Sequence, residues 1–188
     1  MSSDCGAVGP SPNGFTIRTA NRDDLQMLPA IEIAAGDSFR DLGMVAVAED
    51  EPMSAIALAE YQLNGRCWVA EATAGPGLVL GYLIAQEVDG CCHIEQVTVH
   101  PDAAGNGIGR YLLGWAERWG SGNGMAASTL TTFVDVPWNG PYYQRLGYRY
   151  LEKSEETPGL RAIRDAEREH GLDRWPRACM RREIAPAH

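Results

Sequence analysis

His93-Ile94-Glu95-Gln96-Val97-Thr98-Val99-His100-Pro101-Asp102-Ala103-Ala104-Gly105-Asn106-Gly107-Ile108-Gly109-Arg110-Tyr111-Leu112-Leu113 reads as a strand that runs into a glycine-rich turn and from there into a helix. Pro101 stops the strand. Gly105, Gly107 and Gly109 let the backbone approach a ligand without Cβ collisions. The helix start behind them presents amide N–H groups with no partner in their own helix, at the positive end of the helix dipole. Strand, turn and helix together make an anion site, naturally a phosphate site.

The surrounding chain narrows the choice of phosphate. Upstream, Phe15 to Thr19 alternates as a strand, and Asn21 caps a helix with Asp23 and Asp24 in its first turn and Leu25, Leu28, Ile31 and Ala35 as its apolar stripe. A second helix is expected over Pro52 to Leu63, with Met53, Ile56, Ala59 and Leu63 inward. Three strand-like runs follow, Cys67 to Ala72, Leu78 to Glu87 and Cys92 to Val99, with a turn at Ala74-Gly75-Pro76-Gly77 and a tight hairpin at Asp89-Gly90. The glycine turn opens a helix over Gly107 to Trp119 with Leu112, Leu113, Ala116 and Trp119 buried. Beyond it stand a strand over Ser128 to Asp135, a short helix over Gly140 to Leu146 ended by Gly147, and a strand over Tyr148 to Leu151. A polar stretch over Glu152 to Asp173 holds a charged surface helix at Arg161 to His170, and Ala178 to Ile184 is the last strand. The order is that of one mixed α/β (α+β) sheet covered by helices. A Walker loop needs a Gly-Lys-Ser/Thr ending, which is missing, and a dinucleotide fold would place the glycine unit at the start of a parallel βαβ rather than after a meander. The pyrophosphate of coenzyme A is the remaining good candidate.

Bulk composition agrees. A length of 188 residues favours one domain, expected over 15–188 behind a floppy arm at 1–14. The net charge of −9 disfavours a nucleic-acid partner, which needs a basic face, and mildly favours a cationic substrate. No stretch is long and apolar enough to span a bilayer, and Met1 to Gly14 lacks the pattern of a signal peptide. Cys5, Cys67, Cys91, Cys92 and Cys179 form no CxxC pair and read as reduced thiols of a cytoplasmic protein. No His/Cys/Asp/Glu set has metal-site spacing, so no metal is expected.

Ala104-Gly105-Asn106-Gly107-Ile108-Gly109, followed by Arg110 and an apolar helix, resembles the Gln/Arg-x-x-Gly-x-Gly/Ala signature of the GCN5-related N-acetyltransferase (GNAT) family, with Ala104 in place of the leading Gln/Arg. Asn139-Gly140-Pro141-Tyr142-Tyr143-Gln144-Arg145-Leu146-Gly147-Tyr148 is similar to the family's Tyr-x-x-x-Gly-Phe/Tyr ending, and Trp68-Val69-Ala70-Glu71 and Leu80-Gly81-Tyr82-Leu83 look like its two earlier strands. The resemblance covers roughly residues 15–151. It implies a mainly antiparallel sheet with a splayed central strand pair, acetyl-CoA as cosubstrate, and direct transfer of acetyl to a primary amine in a ternary complex. A small-molecule acceptor is the first expectation; a peptide or protein amine, or a catalytically silent acyl-CoA-binding domain, are the alternatives. A dimer is common in the family.

The resemblance also implies roles. The backbone from Ala104 through Gly105, Asn106, Gly107, Ile108 and Gly109 to Arg110 would hold the pyrophosphate, and Val97 or Val99 would offer an N–H to the thioester oxygen while the pantetheine arm lies along the strand as an added strand would. Tyr143 falls at the family's tyrosine near the CoA sulfur, where a phenol can protonate the leaving thiolate. Asn139 is placed to bond the pantetheine arm. From the residues themselves, Glu95 is the expected base and His93 the second choice, since the two lie two apart on one strand and a carboxylate in a sheet is costly unless paired or wet. A glutamate on a wet sheet face reads the same way. Asp135 would hold a cationic substrate, or is a turn residue before Pro137. Cys92 has no base partner in view and is not read as a nucleophile.

Overall fold

A computed structural model describes residues 14–75 and 77–185; the expected arm lies almost wholly outside the described residues. Seven strands among them form one mostly antiparallel sheet, flanked by helices. In chain order they are β1 (Phe15–Thr19), β2 (Cys67–Ala72), β3 (Val79–Val88), β4 (Cys91–Val99), β5 (Ala127–Phe133), β6 (Arg149–Tyr150) and β7 (Arg177–Glu183), and the sheet order is β1-β2-β3-β4-β5-β7-β6. The helices are α1 (Leu28–Gly36), α2 (Val45–Ala48), α3 (Ala55–Leu63), α4 (Ile108–Gly122), α5 (Gly140–Arg145) and α6 (Pro158–Glu169). The chain divides into two compact units, one of residues 1–84 with 96–115 and the other of 85–95 with 116–188; β3, β4 and α4 run through both.

In the first unit β1 pairs antiparallel with β2, and β2 with β3. Leu25, Leu28 and Ile31 pack with Leu58 of α3 against Cys67, Val69, Tyr82 and Ile84 of the sheet. Full burial of a leucine such as Leu58 is worth about 1.5–3 kcal/mol. The stripe expected for the first helix holds at Leu25, Leu28 and Ile31, but the helix is broken: a single tight turn at Asp24–Gln26 and a two-turn 3-10 helix at Asp37–Leu42 stand on either side of α1, and α2 is an element that periodicity does not announce. Asn21 caps as expected, its Oδ1 accepting from the N–H groups of Asp23 and Asp24 at 2.9 and 3.1 Å. Asp24 is buried in an ion pair with Arg18 rather than laid out along a helix dipole. For α3 half of the expected face is wrong: Met53 and Ala59 pack against the core as expected, but the other two do not. Ile56 and Leu63 point to solvent, and Leu58 is the fully buried residue. Ala55, Ile56, Ala57, Leu58, Ala59, Tyr61 and Leu63 are apolar on every side, so spacing alone does not choose the buried stripe. Ser54 sets the start, accepting from Ala57 N–H at 3.3 Å.

In the second unit β5 pairs antiparallel with β7, and β7 with β6, while β4 pairs parallel with β5 over Cys92–Ile94. That pairing ends at Ile94, whereas β4 continues as strand to Val99. The tight hairpin read from Asp89-Gly90 is present, with φ of 48° and 74° at its two residues, as a two-residue mirror-image turn requires. Val88 and Cys91 flank that turn, while at the far end His100 N–H donates to Leu80 O at 2.8 Å. From Cys91 to His100 the chain is one residue longer than from Leu80 to Val88. The charged segment expected as a solvated surface helix is α6, which starts earlier, capped by Thr157, and turns Leu160 and Arg164 inward. Arg164 and Arg177 both pair with Glu167, and the Arg177 guanidinium lies 4.4 Å from the centre of the Phe133 ring.

Candidate active site

The glycine turn lies in the first unit. His100 opens it: its Nδ1 accepts from Asp102 N–H at 3.2 Å, capping the single turn Pro101–Ala103. Ala104 N–H donates to Pro101 O at 3.0 Å, so this amide closes the turn and is not the ligand donor expected of it. The side chain of Asn106 donates to Ala103 O at 3.1 Å and holds the next bend. Gly105 and Gly107 have φ of +80° and +79°, a region that L side chains avoid. A Cβ at Gly105 would meet nothing within 4 Å, so backbone conformation rather than crowding demands glycine there. Tyr111 N–H makes a helical bond to Gly107 O at 3.2 Å, which leaves the amides of Ile108, Gly109 and Arg110 in the first turn of α4 without a carbonyl four residues back. Arg110 is exposed and enters no ion pair among the described residues. Val97 and Val99 lie half-buried on β4, past its last β5 partner. Amide donors, a helix dipole and a loose arginine together suit a pyrophosphate.

The remaining candidates lie in the second unit. Tyr143 is buried in α5, its ring edge-on to Tyr142 at 5.4 Å and to Tyr148 at 5.8 Å. Its N–H donates to Asn139 O at 3.0 Å, which ties these two candidates together. Burial drives the Tyr143 phenol well above the ordinary value of 10, with Tyr142 adding to the rise and Arg177 opposing it. It is therefore a neutral hydroxyl at any working pH, and among the described residues that hydroxyl takes no hydrogen bond. No buried side-chain N or O atom of the described residues lacks a partner, so the oxygen is accessible. The half-buried Asn139 likewise leaves its side-chain amide unbonded among the described residues. Tyr142 is a packing residue, with Arg145 over its ring at 5.9 Å.

Glu95 and His93 part company. Glu95 is exposed, and Gln86 Nε2 donates to its Oε2 at 2.7 Å. Its pKa is nevertheless raised, first by the protein that surrounds it and then by the Glu167 charge, with Gln86 opposing. His93 is 1% exposed and its Nδ1 lies 3.0 Å from Thr129 Oγ1. Burial pushes its pKa down to about 4, only partly offset by Glu167. It is a neutral, internal hydrogen-bonding residue, not a second solvent-facing base. Asp135 is exposed, and its charge helps to raise the Tyr150 phenol. Cys92 is buried, its thiol pushed up to about 12 by burial and then by Glu117 and Cys91, which suits the expectation that it is no nucleophile.

Two polar clusters of the second unit escape local reading. Ser128, Tyr148, Glu117 and Arg182 form one: the Ser128 and Tyr148 hydroxyls lie 2.7 Å apart, Tyr148 donates to Glu117 at 3.2 Å, and Arg182 pairs with Glu117 at 2.8 Å. Glu167 gathers Thr131, Arg164 and Arg177 in the other. Their members come from strands and helices far apart in the chain, so no motif marks them. Among the described residues no group of three or more His, Cys, Asp or Glu is placed to hold a metal ion, and no helix is long and apolar enough to cross a membrane.

With the turn and the tyrosine segment in view, the family is settled. The profile of the Acetyltransferase (GNAT) family matches residues 31–148, more than half of the chain, and the chain belongs to that family. It is an acetyl-CoA-dependent acetyltransferase. Solved structures share the fold at low identity. The ribosomal-protein-S18-alanine N-acetyltransferase from Escherichia coli superposes with a TM-score of 0.62 at 19% identity, covering 93% of this chain and 96% of that one. PaiA N-acetyltransferase from Thermoplasma acidophilum, in complex with coenzyme A, has a TM-score of 0.64 at 15% identity, covering 90% and 98%. N-acetylglutamate synthase from Neisseria gonorrhoeae, complexed with coenzyme A and N-acetyl-glutamate, has a TM-score of 0.65 at 19% identity, covering 91% of this chain and 35% of that one.

Proposed function

We propose that this acetyltransferase moves acetyl to the primary amine of a small-molecule acceptor by direct attack. A free alkyl amine has a pKa near ~10 and arrives protonated. Glu95, through a water, takes that proton, and the nitrogen lone pair attacks the thioester carbonyl carbon. The backbone N–H of Val97 or Val99 holds the oxyanion as the tetrahedral centre forms. The carbon–sulfur bond then breaks, and the thiolate takes the proton of the Tyr143 hydroxyl, which solvent restores. Asn139 bonds the pantetheine arm, Asp135 favours a cationic acceptor, and the amides from Gly105 to Arg110 hold the pyrophosphate. The observation that carries this reading is the exposed carboxylate of Glu95, held by Gln86 Nε2 at 2.7 Å, whose raised pKa makes it a stronger base than a free glutamate. Four free, buried thiols among the described residues fit a reducing, cytoplasmic setting.

Product analysis by mass spectrometry tests the acceptor class. The protein and acetyl-CoA are incubated with a panel of small primary amines and with peptides bearing free α-amines or lysines. Acetylated small amines are expected. Acetylation of peptides alone would replace the small-molecule reading with a peptide or protein acceptor.

A further inference from the structure

We infer that Glu32 is the cation-recognising residue of the acceptor site, and that the acceptor carries a second positive charge besides the amine that is acetylated. This deepens the acetyltransferase reading above and rests on it. All the residues concerned lie in the first unit.

Glu32 stands half-exposed on α1. Tyr82, fully enclosed on β3, donates its hydroxyl proton to Glu32 Oε2 at 2.8 Å. Burial, and next the Glu32 charge, raise this phenol far above its ordinary range, so the proton stays on Tyr82. Gly81, the neighbour of Tyr82 on β3, lies against β4: a Cβ there would come within 2.7 Å of Thr98 O and 3.1 Å of Val99 Cα.

Tyr82 thus stands beside the part of β4 that runs on past its last β5 partner, the segment whose backbone is proposed to hold the thioester. Its carboxylate partner Glu32 enters no ion pair among the described residues. Arg18 pairs with Asp24 and Glu71, and Arg40 with Asp37 and Glu49, so neither serves Glu32. A carboxylate fixed by a buried donor and left without a counter-ion is completed by a cation from outside. The reacting nitrogen must shed its charge before it attacks, so a fixed carboxylate best serves a charge that the acceptor keeps throughout.

Calorimetric titration of linear α,ω-diamines of three to six carbons, each against the amino alcohol of the same length, tests this on the full chain. The wild type should bind the best diamine about tenfold more tightly than its amino alcohol, as one charge-assisted contact provides. Glu32→Gln, which still accepts from Tyr82, should lose that preference, and Glu32→Asp should keep part of it. Equal binding of the pair by the wild type, no diamine binding at all, or an undiminished preference in Glu32→Gln with an unchanged melting temperature would each overturn the inference. Acetyl-CoA is titrated alongside. Diamine binding through Glu32 without acetyl-CoA binding would overturn the acetyltransferase reading and leave the cation site standing; the reverse pattern would do the opposite.

Discussion

The glycine turn Ala104–Arg110 and the tyrosine segment Asn139–Tyr148 are both read from short motifs, yet they are built in opposite ways. The turn is exposed, and its donors are backbone amides. Gly105 and Gly107 are demanded by positive φ, and a Cβ at Gly105 would touch nothing within 4 Å. The tyrosine segment is proposed to work through side chains and is packed tight. A Cβ at Gly140 would run into the Tyr150 hydroxyl and lie 2.8 Å from Val134 O and 3.1 Å from Phe133 O. Binding a constant anion needs only a backbone shape held clear of other atoms. Holding a neutral phenol ready for one proton transfer needs enclosure, and so the segment is coupled to the stability of its unit.

The contrast gives graded expectations. The largest effect belongs to Gly140→Ala, which should lower stability by about 3 kcal/mol in urea unfolding through overpacking; a loss below about 1 kcal/mol would show that the segment relaxes as freely as the turn. Tyr143→Phe comes next. It should cut kcat by about 100-fold with acetyl-CoA affinity within about twofold. Its stability should stay within about 0.5 kcal/mol, because the lost hydroxyl leaves no partner stranded. A large affinity change instead would recast Tyr143 as a binding residue. Gly107→Val should weaken acetyl-CoA binding about tenfold, and left-handed strain should cost about 1–2 kcal/mol of stability; unchanged binding would remove the turn from the phosphate site.

Two smaller effects depend on pH. His93 binds its proton in the unfolded chain near the ordinary 6.5 but in the folded protein only at about 4. The unfolded state therefore takes up more protons between these values, and stability should fall as the pH drops from about 6.5 toward about 4. Urea midpoints across this window should decline less steeply in His93→Gln, and parallel slopes would deny His93 a part. For Glu95 the shift is upward, so the basic limb of kcat should rise at a pH above the ordinary glutamate value of 4.5. Glu95→Gln should abolish that limb and lower the plateau about tenfold; a profile that keeps the limb would take the base role away from Glu95.

Much of this fold is legible because its signals are local. The meander, the Asp89-Gly90 hairpin, the glycine turn and the stop at Gly147 each depend on a few adjacent residues, and each stands where the sequence puts it. What is not legible depends on partners far along the chain. Ile56 and Leu58 are equally apolar, and only the sheet beneath decides that Leu58 goes inside. Arg164 and Glu167 look like members of a solvated charge run until β5 and β7 supply Thr131 and Arg177. The site divides in the same way. The glycine turn, Asn139 and Tyr143 are motif positions, but His93 and Glu95 share a strand parity and differ in burial, because the sheet closes over one and opens at the other. Ala104 shows a finer limit: its amide is taken by Pro101 O, a detail of the turn that residue type does not reveal.

Release of free thiol from acetyl-CoA, followed with and without primary amines, tests the central claim most directly. The account predicts slow release alone, acceleration by at least one amine, and loss of that acceleration in Tyr143→Phe. Acetyl-CoA that binds but releases no thiol with any amine or peptide would contradict it and leave a protein that holds acyl-CoA without turning it over.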